Sequence, residues 1–176
     1  MVKSILILGR FQPFHLGHLS LIKRYSQAGF FIKIGIGSSE NKISQKNPLT
    51  KNERKEIIKK SMNEEKIKNY KIFYIPDINN DKKYVKHVIK IIGEFQTIIT
   101  GNPHVLRLFL KYKSKNPWNI ETFKEDISRP GGKITSSTIR KKWKKKPDKA
   151  GLHFSTYLYL KKINFSERLR KFKSSQ

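Results

Sequence analysis

Ser4-Ile5-Leu6-Ile7-Leu8-Gly9, followed by Arg10-Phe11-Gln12-Pro13-Phe14-His15-Leu16-Gly17-His18, decides how this chain folds. Residues 5–8 are a continuous apolar run rather than an alternating one, which suits a strand buried on both faces of a parallel sheet. Beyond the loop, Leu21, Tyr25 and Ala28 recur at helical spacing with Ile22 beside them, until Gly29 stops the helix. Residues 31–36 end at Gly37 as a second strand. Pro48 marks a boundary, and Thr50 with Glu53 forms a capping box that opens a helix through about residue 63. Residues 72–75 before Pro76 read as a third strand and residues 84–92 as a helix with Val85, Val88, Ile89 and Ile92 inward. Residues 97–100, stopped by Gly101, make a fourth strand, with a helix after it over 105–112. Residues 119–123 suggest one more strand, and Pro130-Gly131-Gly132 a loop. Ser136 or Ser137 is expected to cap a basic helix, residues 154–163 to form a last one, and the tail after Leu169 to fray. Strands alternating with helices predict right-handed crossovers and an α/β, Rossmann-like, doubly wound parallel sheet. The expected organisation is an α/β domain over 1–135 and a basic helical extension over 136–176 in the same compact unit.

The 176 residues hold 39 Lys+Arg against 13 Asp+Glu, a formal net charge of +26, and no cysteine. The absence of cysteine excludes disulfide scaffolds, thiol catalysis and Cys-ligated zinc. No apolar run approaches the roughly 18 residues that a membrane span needs. The opening residues carry no signal-peptide pattern, so the chain reads as a soluble, cytoplasmic protein with no membrane partner. Residues 137–176 carry 13 Lys/Arg and 2 Asp/Glu, over twice as basic per residue as the rest. Such a field attracts phosphates and other polyanions, although biased composition and a solvated surface explain it equally well.

Ligands of an open α/β sheet bind beyond the carboxyl ends of its strands, with phosphates at helix N-termini. The loop after the first strand is therefore the candidate site. Gly9 permits a close backbone approach. His15 and His18 stand one helical turn apart with Gly17 leaving room between them, so both rings can face one anion, and Arg10 adds a guanidinium fork that matches phosphate. Zinc is disfavoured, because no third ligand has a matching spacing and Arg10 would repel the ion. No metal ligand is assigned. His87, His104 and His153 read as ordinary structural histidines, and Trp118, Trp143 and Phe154 as packing or subunit-contact residues.

Gly9-Arg10-Phe11-Gln12-Pro13 with His15-Leu16-Gly17-His18 resembles the HxGH signature of the nucleotidylyltransferase superfamily. Ile134-Thr135-Ser136-Ser137-Thr138-Ile139-Arg140 is similar to its second signature, I-S-S-T-x-x-R. Further stretches, including Asn47-Pro48-Leu49-Thr50, Ile75-Pro76-Asp77-Ile78, Thr100-Gly101-Asn102 and residues 166–170, resemble archaeal-type nicotinamide-nucleotide adenylyltransferases. The resemblance implies ATP and nicotinamide mononucleotide as partners, NAD and pyrophosphate as products, Mg²⁺ carried by the ATP phosphates, and a homo-oligomer. It assigns His15 and His18 to the ATP phosphates, Arg10 to the phosphates where the substrates meet, and Arg140 to the β/γ end. Ser136 and Ser137 would donate to the same oxygens. Phe11 and Gly17 belong to the signature, Lys46 stands where the family commonly has a phosphate-binding Arg, and Tyr84 stands for the aromatic wall of the nicotinamide. Thr100, Gly101 and Asn102 form either an ordinary turn or, as preferred, the adenine side, and Asp77 either caps its turn or touches ligand. The alternatives are another nucleotidylyltransferase with a different phosphorylated acceptor, such as phosphopantetheine, and a nucleic-acid-binding protein on the same fold.

Overall fold

In a computed structural model that describes residues 3–112, 119–122 and 134–172, the strands join one wholly parallel sheet. The strands are β1 (Ser4–Gly9), β2 (Phe31–Gly37), β3 (Tyr70–Ile75), β4 (Thr97–Thr100) and β5 (Asn119–Thr122), in the order β3-β2-β1-β4-β5. The helices are α1 (Leu16–Gln27), α2 (Lys51–Glu64), α3 (Asp81–Ile92), α4 (Pro103–Tyr112), α5 (Ser136–Lys145), α6 (Phe154–Lys162) and α7 (Phe165–Lys171). This is the expected doubly wound α/β sheet. The chain divides into two compact units: residues 1–10, 23–40 and 69–124, and residues 11–22, 41–68 and 125–176.

The first unit holds the sheet. β1 lies at its centre with Ile5 against Ile32 and Thr97 on its two sides, and residues 4–8 are all buried, as the unbroken apolar run requires. Leu6, Leu8, Ile75 and Ile98 form one core with Val85, Val88 and Ile92 of α3 and Val105 and Phe109 of α4. Gly35 makes room for that packing, because a Cβ there would stand 2.9 Å from Leu8 Cδ1. α3 starts three residues before the expected Tyr84, because the Asn80 side chain accepts the Lys83 N–H. At its other end Lys33 Nζ donates to the carbonyls of Ile92 (3.1 Å) and Glu94 (2.6 Å). β3 also begins two residues early, since Tyr70 and Lys71 pair with Ile32 and Lys33.

In the second unit α2 carries the expected capping box, with Thr50 accepting from Glu53 N–H and the Glu53 carboxylate from Thr50 N–H. Arg168 of α7 donates to both Glu53 oxygens at 2.8 Å and to the Pro48 carbonyl at 3.1 Å. Two expectations are corrected here. The cap of α5 is Thr135 rather than Ser136 or Ser137, because a second capping box, Thr135 with Thr138, satisfies the first turn. The helix expected over 154–163 is present as α6 but is not the last, because after Asn164, in the left-handed region, the chain forms α7, which carries Arg170 and Lys171 of the tail expected to fray. Trp143 is 1% exposed among Tyr157 and Phe165, its indole N–H donating to the Asp148 carbonyl at 2.6 Å, so it is a packing residue. Phe154 is exposed. Trp118, Phe123 and the Pro130-Gly131-Gly132 loop lie outside the described residues.

Candidate functional site

The loop after β1 leads into α1, and in the second unit it folds into an aromatic nest around two imidazoles. Phe11, at φ 52, is in the left-handed region, a conformation a bulky residue holds only where its surroundings demand it. Its ring is buried and meets His18 edge-on at 4.9 Å, while Phe14 stacks on His18 at 5.5 Å. The rings of His15 and His18 stack at 3.7 Å between centroids, which the three-residue spacing predicted in outline.

The protonation state follows from these surroundings. The His15 N–H donates to His18 Nδ1 at 3.3 Å. An accepting Nδ1 leaves the ring proton of neutral His18 on Nε2, where it can be donated. His15 is 2% exposed, and burial lowers its imidazole from 6.5 to about 3. Burial first, then the neighbouring His15, holds His18 well below the ordinary value. Both rings are therefore neutral near pH 7. His15 Nδ1 is buried with no hydrogen-bond partner among the described residues.

α5 brings the second signature to the same loop. Ser136 Oγ donates to the Pro13 carbonyl at 2.9 Å and Arg140 Nη1 to the Gln12 carbonyl at 2.6 Å. The first turn of α5, where N–H groups and the helix dipole favour an anion, thus stands beside the imidazole loop. Ser137 Oγ shares a hydrogen bond of 2.8 Å with Thr135 Oγ1. The Ser136 and Ser137 hydroxyls are thus engaged in holding the turn. Gly17 is half-buried in the first turn of α1, whose Leu16 N–H donates to the Gly151 carbonyl at 2.9 Å. Lys46 is exposed on the segment before α2. Gln12 and Thr135 stood within the two signatures without a role of their own, and Gly151 was not singled out. A glutamine between Phe11 and Pro13 in a largely apolar loop was the signal available for the first.

The first unit holds the other candidate residues in two groups. β1 and β4 are parallel neighbours with Leu8 beside Thr100, so Gly9-Arg10 and Gly101-Asn102 leave the sheet side by side at its topological switch point. Thr100 is buried, and its Oγ1 accepts the Asn102 N–H at 3.2 Å. Asn102 Oδ1 accepts the His104 N–H at 3.0 Å, so this turn also caps α4. Arg10, Gly101 and Asn102 are exposed. In the second group Tyr84 is half-buried, and burial, then the Asp77 carboxylate, pushes its phenol up to about 12. Asp81 and His104 meet at 3.1 Å, and His87 Nε2 lies 3.2 Å from the Pro76 carbonyl.

The imidazoles and guanidinium suit an anion, and among the described residues no three His, Cys, Asp or Glu side chains gather to hold a cation. No helix among them is long and apolar enough to cross a membrane. A cytidylyltransferase-like family model matches residues 6–142. The chain is 40% identical over 111 residues to the nicotinamide-nucleotide adenylyltransferase of Thermoplasma acidophilum, covering 63% of this chain and 62% of that protein. It is 31% identical over 173 residues to that of Pyrococcus furiosus, covering 96% and 88%. Its matches thus span about three-fifths of the Thermoplasma relatives' length and nearly nine-tenths of the Pyrococcus one. A bifunctional NMN adenylyltransferase/ADP ribose pyrophosphatase from Francisella tularensis, crystallised with AMP and Mn, has the same fold, with a TM-score of 0.76 at 22% identity over 98% of this chain and 52% of that one.

Proposed function

The chain belongs to the cytidylyltransferase-like family, and from that premise we propose that it is a nicotinamide-nucleotide adenylyltransferase, moving the adenylyl group of ATP onto nicotinamide mononucleotide. A phosphate oxygen of the mononucleotide forms the new bond to the α-phosphorus of ATP, the α–β P–O bond breaks, and NAD and pyrophosphate leave. The attacking phosphate has a second pKa of about 6 and is already ionised at pH 7, so no general base is needed. The protein's work is alignment of the two phosphates and stabilisation of the charge that passes to pyrophosphate.

The observation that carries this reading is the His15–His18 stack, with His18 Nδ1 engaged by the His15 N–H. It supports a neutral imidazole that donates from Nε2 to a phosphate oxygen and keeps its proton throughout. His15, Arg140 and the first-turn N–H groups of α5 join it on the ATP phosphates, and Arg10 and Lys46 add positive charge. The buried Phe11 ring, part of the substrate-binding signature, braces His18 from its edge. Gly9 and Gly17 leave space for the phosphates, Thr100, Gly101 and Asn102 take the adenine side, and Tyr84 with Asp77 takes the nicotinamide end. A divalent ion, Mg²⁺, enters on the ATP phosphates and neutralises part of their charge; the donor set described above suits the anion, not the metal. We further expect the chain to act as a homo-oligomer in the cytoplasm.

The test is a panel of phosphorylated acceptors, nicotinamide mononucleotide, phosphopantetheine and sugar phosphates among them, offered with Mg-ATP while dinucleotide and pyrophosphate are both measured. NAD with equimolar pyrophosphate from nicotinamide mononucleotide alone is expected. Turnover of another acceptor in its place would reassign the substrate. No adenylyl transfer, with tight retention on nucleic acid, would move the protein to the binding class.

A further inference from the structure

We propose that Gln12 is a positioning residue for the phosphate-binding group, acting through the main chain and not on substrate; the proposal rests on the adenylyl-transfer reading above. Gln12 is 2% exposed, and both ends of its carboxamide are used on one residue. Nε2 donates to the Leu49 carbonyl at 2.9 Å, and Oε1 accepts the Leu49 N–H at 2.9 Å. This two-point pairing is the pattern of a sheet ladder made by a side chain, and it ends one residue before Thr50, the N-cap of α2. On its other side the Gln12 carbonyl accepts from Arg140 and the Pro13 carbonyl from Ser136. Residues 12 and 13 are thus held between the entry of α2 and the first turn of α5. Two residues further on, the His15 N–H sets the tautomer of His18.

Losing the carboxamide would leave the N–H and C=O of the buried Leu49 unpaired. Residues 12–13 would then shift, and Arg140, Ser136 and the His15 N–H would shift with them. In a reaction that runs on alignment, a displacement of about 1 Å costs on the order of 10²-fold. A glutamine that only filled space would carry no such penalty once the protein is folded.

Gln12→Glu tests this, because the acid keeps the shape of the amide. Ionised, it accepts from Leu49 N–H but sets a second oxygen against the Leu49 carbonyl; protonated, it donates there and restores both bonds. The charged and titratable groups on the surrounding segments are the buried Arg54, which donates to the Thr50 carbonyl, with Lys46, Lys51, Glu53, Arg140, Arg168, His15 and His18. Gln12→Met, of similar length with neither bond, is the companion variant. The intact chain, folded by circular dichroism at each pH, is assayed for kcat and both KM values between about pH 8 and about pH 5.5. Imidazole nitrogen spectra are recorded alongside without substrate.

At the upper pH, kcat of Gln12→Glu is expected to fall roughly 10- to 100-fold, with both KM values within about threefold. Its ratio to wild type should recover at least about fivefold at the lower pH, whereas Gln12→Met shows the loss without recovery. The His18 nitrogen signals should depart from the wild-type pattern at the upper pH and return at the lower. A folded Gln12→Glu and a folded Gln12→Met that both match wild type in kcat and in His18 signals at the upper pH would overturn the proposal. Should wild type itself make no dinucleotide, the adenylyl-transfer reading fails on its own, and the His18 signals alone decide for or against Gln12.

Discussion

Acidification from about pH 7.5 to about pH 5 should destabilise the folded chain by about 2 kcal/mol through His15 alone. The ring is buried, which lowers its imidazole from 6.5 to about 3, and solvent screening at 2% exposure is slight. In the unfolded chain the same ring titrates near its ordinary value. Between these two values the unfolded state binds a proton that the folded state refuses, so stability rises with pH there and is lost as pH falls. The contribution is complete above about 6.5 and declines continuously toward about 3. At pH 5 the ring is about 1.5 pH units below its unfolded value, and at about 1.4 kcal/mol per unit the loss is about 2 kcal/mol. Urea unfolding of wild type and His15→Asn at both pH values reads the effect of His15 together with its lesser influence on His18, since the carboxylates and the remaining histidines are common to both chains. His18 shifts in the same direction and remains in each. Wild type should lose about 2 kcal/mol more than the variant on acidification. Equal losses, within about 0.5 kcal/mol, would refute the account of His15 as a ring kept neutral by burial.

Three further outcomes are expected. His18→Ala should fold and lose roughly 10²-fold or more in kcat, as removal of a preorganised donor does; an unchanged kcat would remove it from the phosphate site. Tyr84→Ala should weaken binding of nicotinamide mononucleotide by about 1 kcal/mol and leave ATP binding nearly untouched, read by titration calorimetry. Equal losses for the two substrates would make Tyr84 a packing residue of α3. Gly151 has φ +78, and a Cβ there would stand 2.8 Å from Ile134 Cγ2. Gly151→Ala should therefore lower stability by about 2 kcal/mol in urea unfolding, and a cost near zero would show that this loop yields.

The order of elements was written in local patterns. The unbroken run of residues 5–8 marked a strand with neighbours on both sides, and the Thr50–Glu53 box marked the start of α2, because both depend only on residues a few positions apart. The three-residue spacing of His15 and His18 likewise implied that the rings could face one ligand. Local pattern misjudged the start of α5, where four hydroxyl residues in a row, Thr135 to Thr138, offer similar caps and only the backbone geometry selects Thr135. It also lacked α7, a seven-residue helix after a single left-handed residue, too short for its periodicity to stand out.

What tertiary structure alone decided is the state of the site. The charge of His15 and His18 depends on burial beneath Phe11 and Phe14 and on each other, and a sequence carries no measure of burial for a loop. Gln12 meets Leu49 across 37 positions and Arg140 across 128, and Arg168 meets Glu53 across 115. Nothing periodic links such pairs, because a hydrogen bond over that separation forms only after packing has placed both partners within about 3 Å. Residue types and their spacing therefore raised the expectation of phosphate chemistry, whereas the neutrality of the two imidazoles and the main-chain frame around them came from the fold.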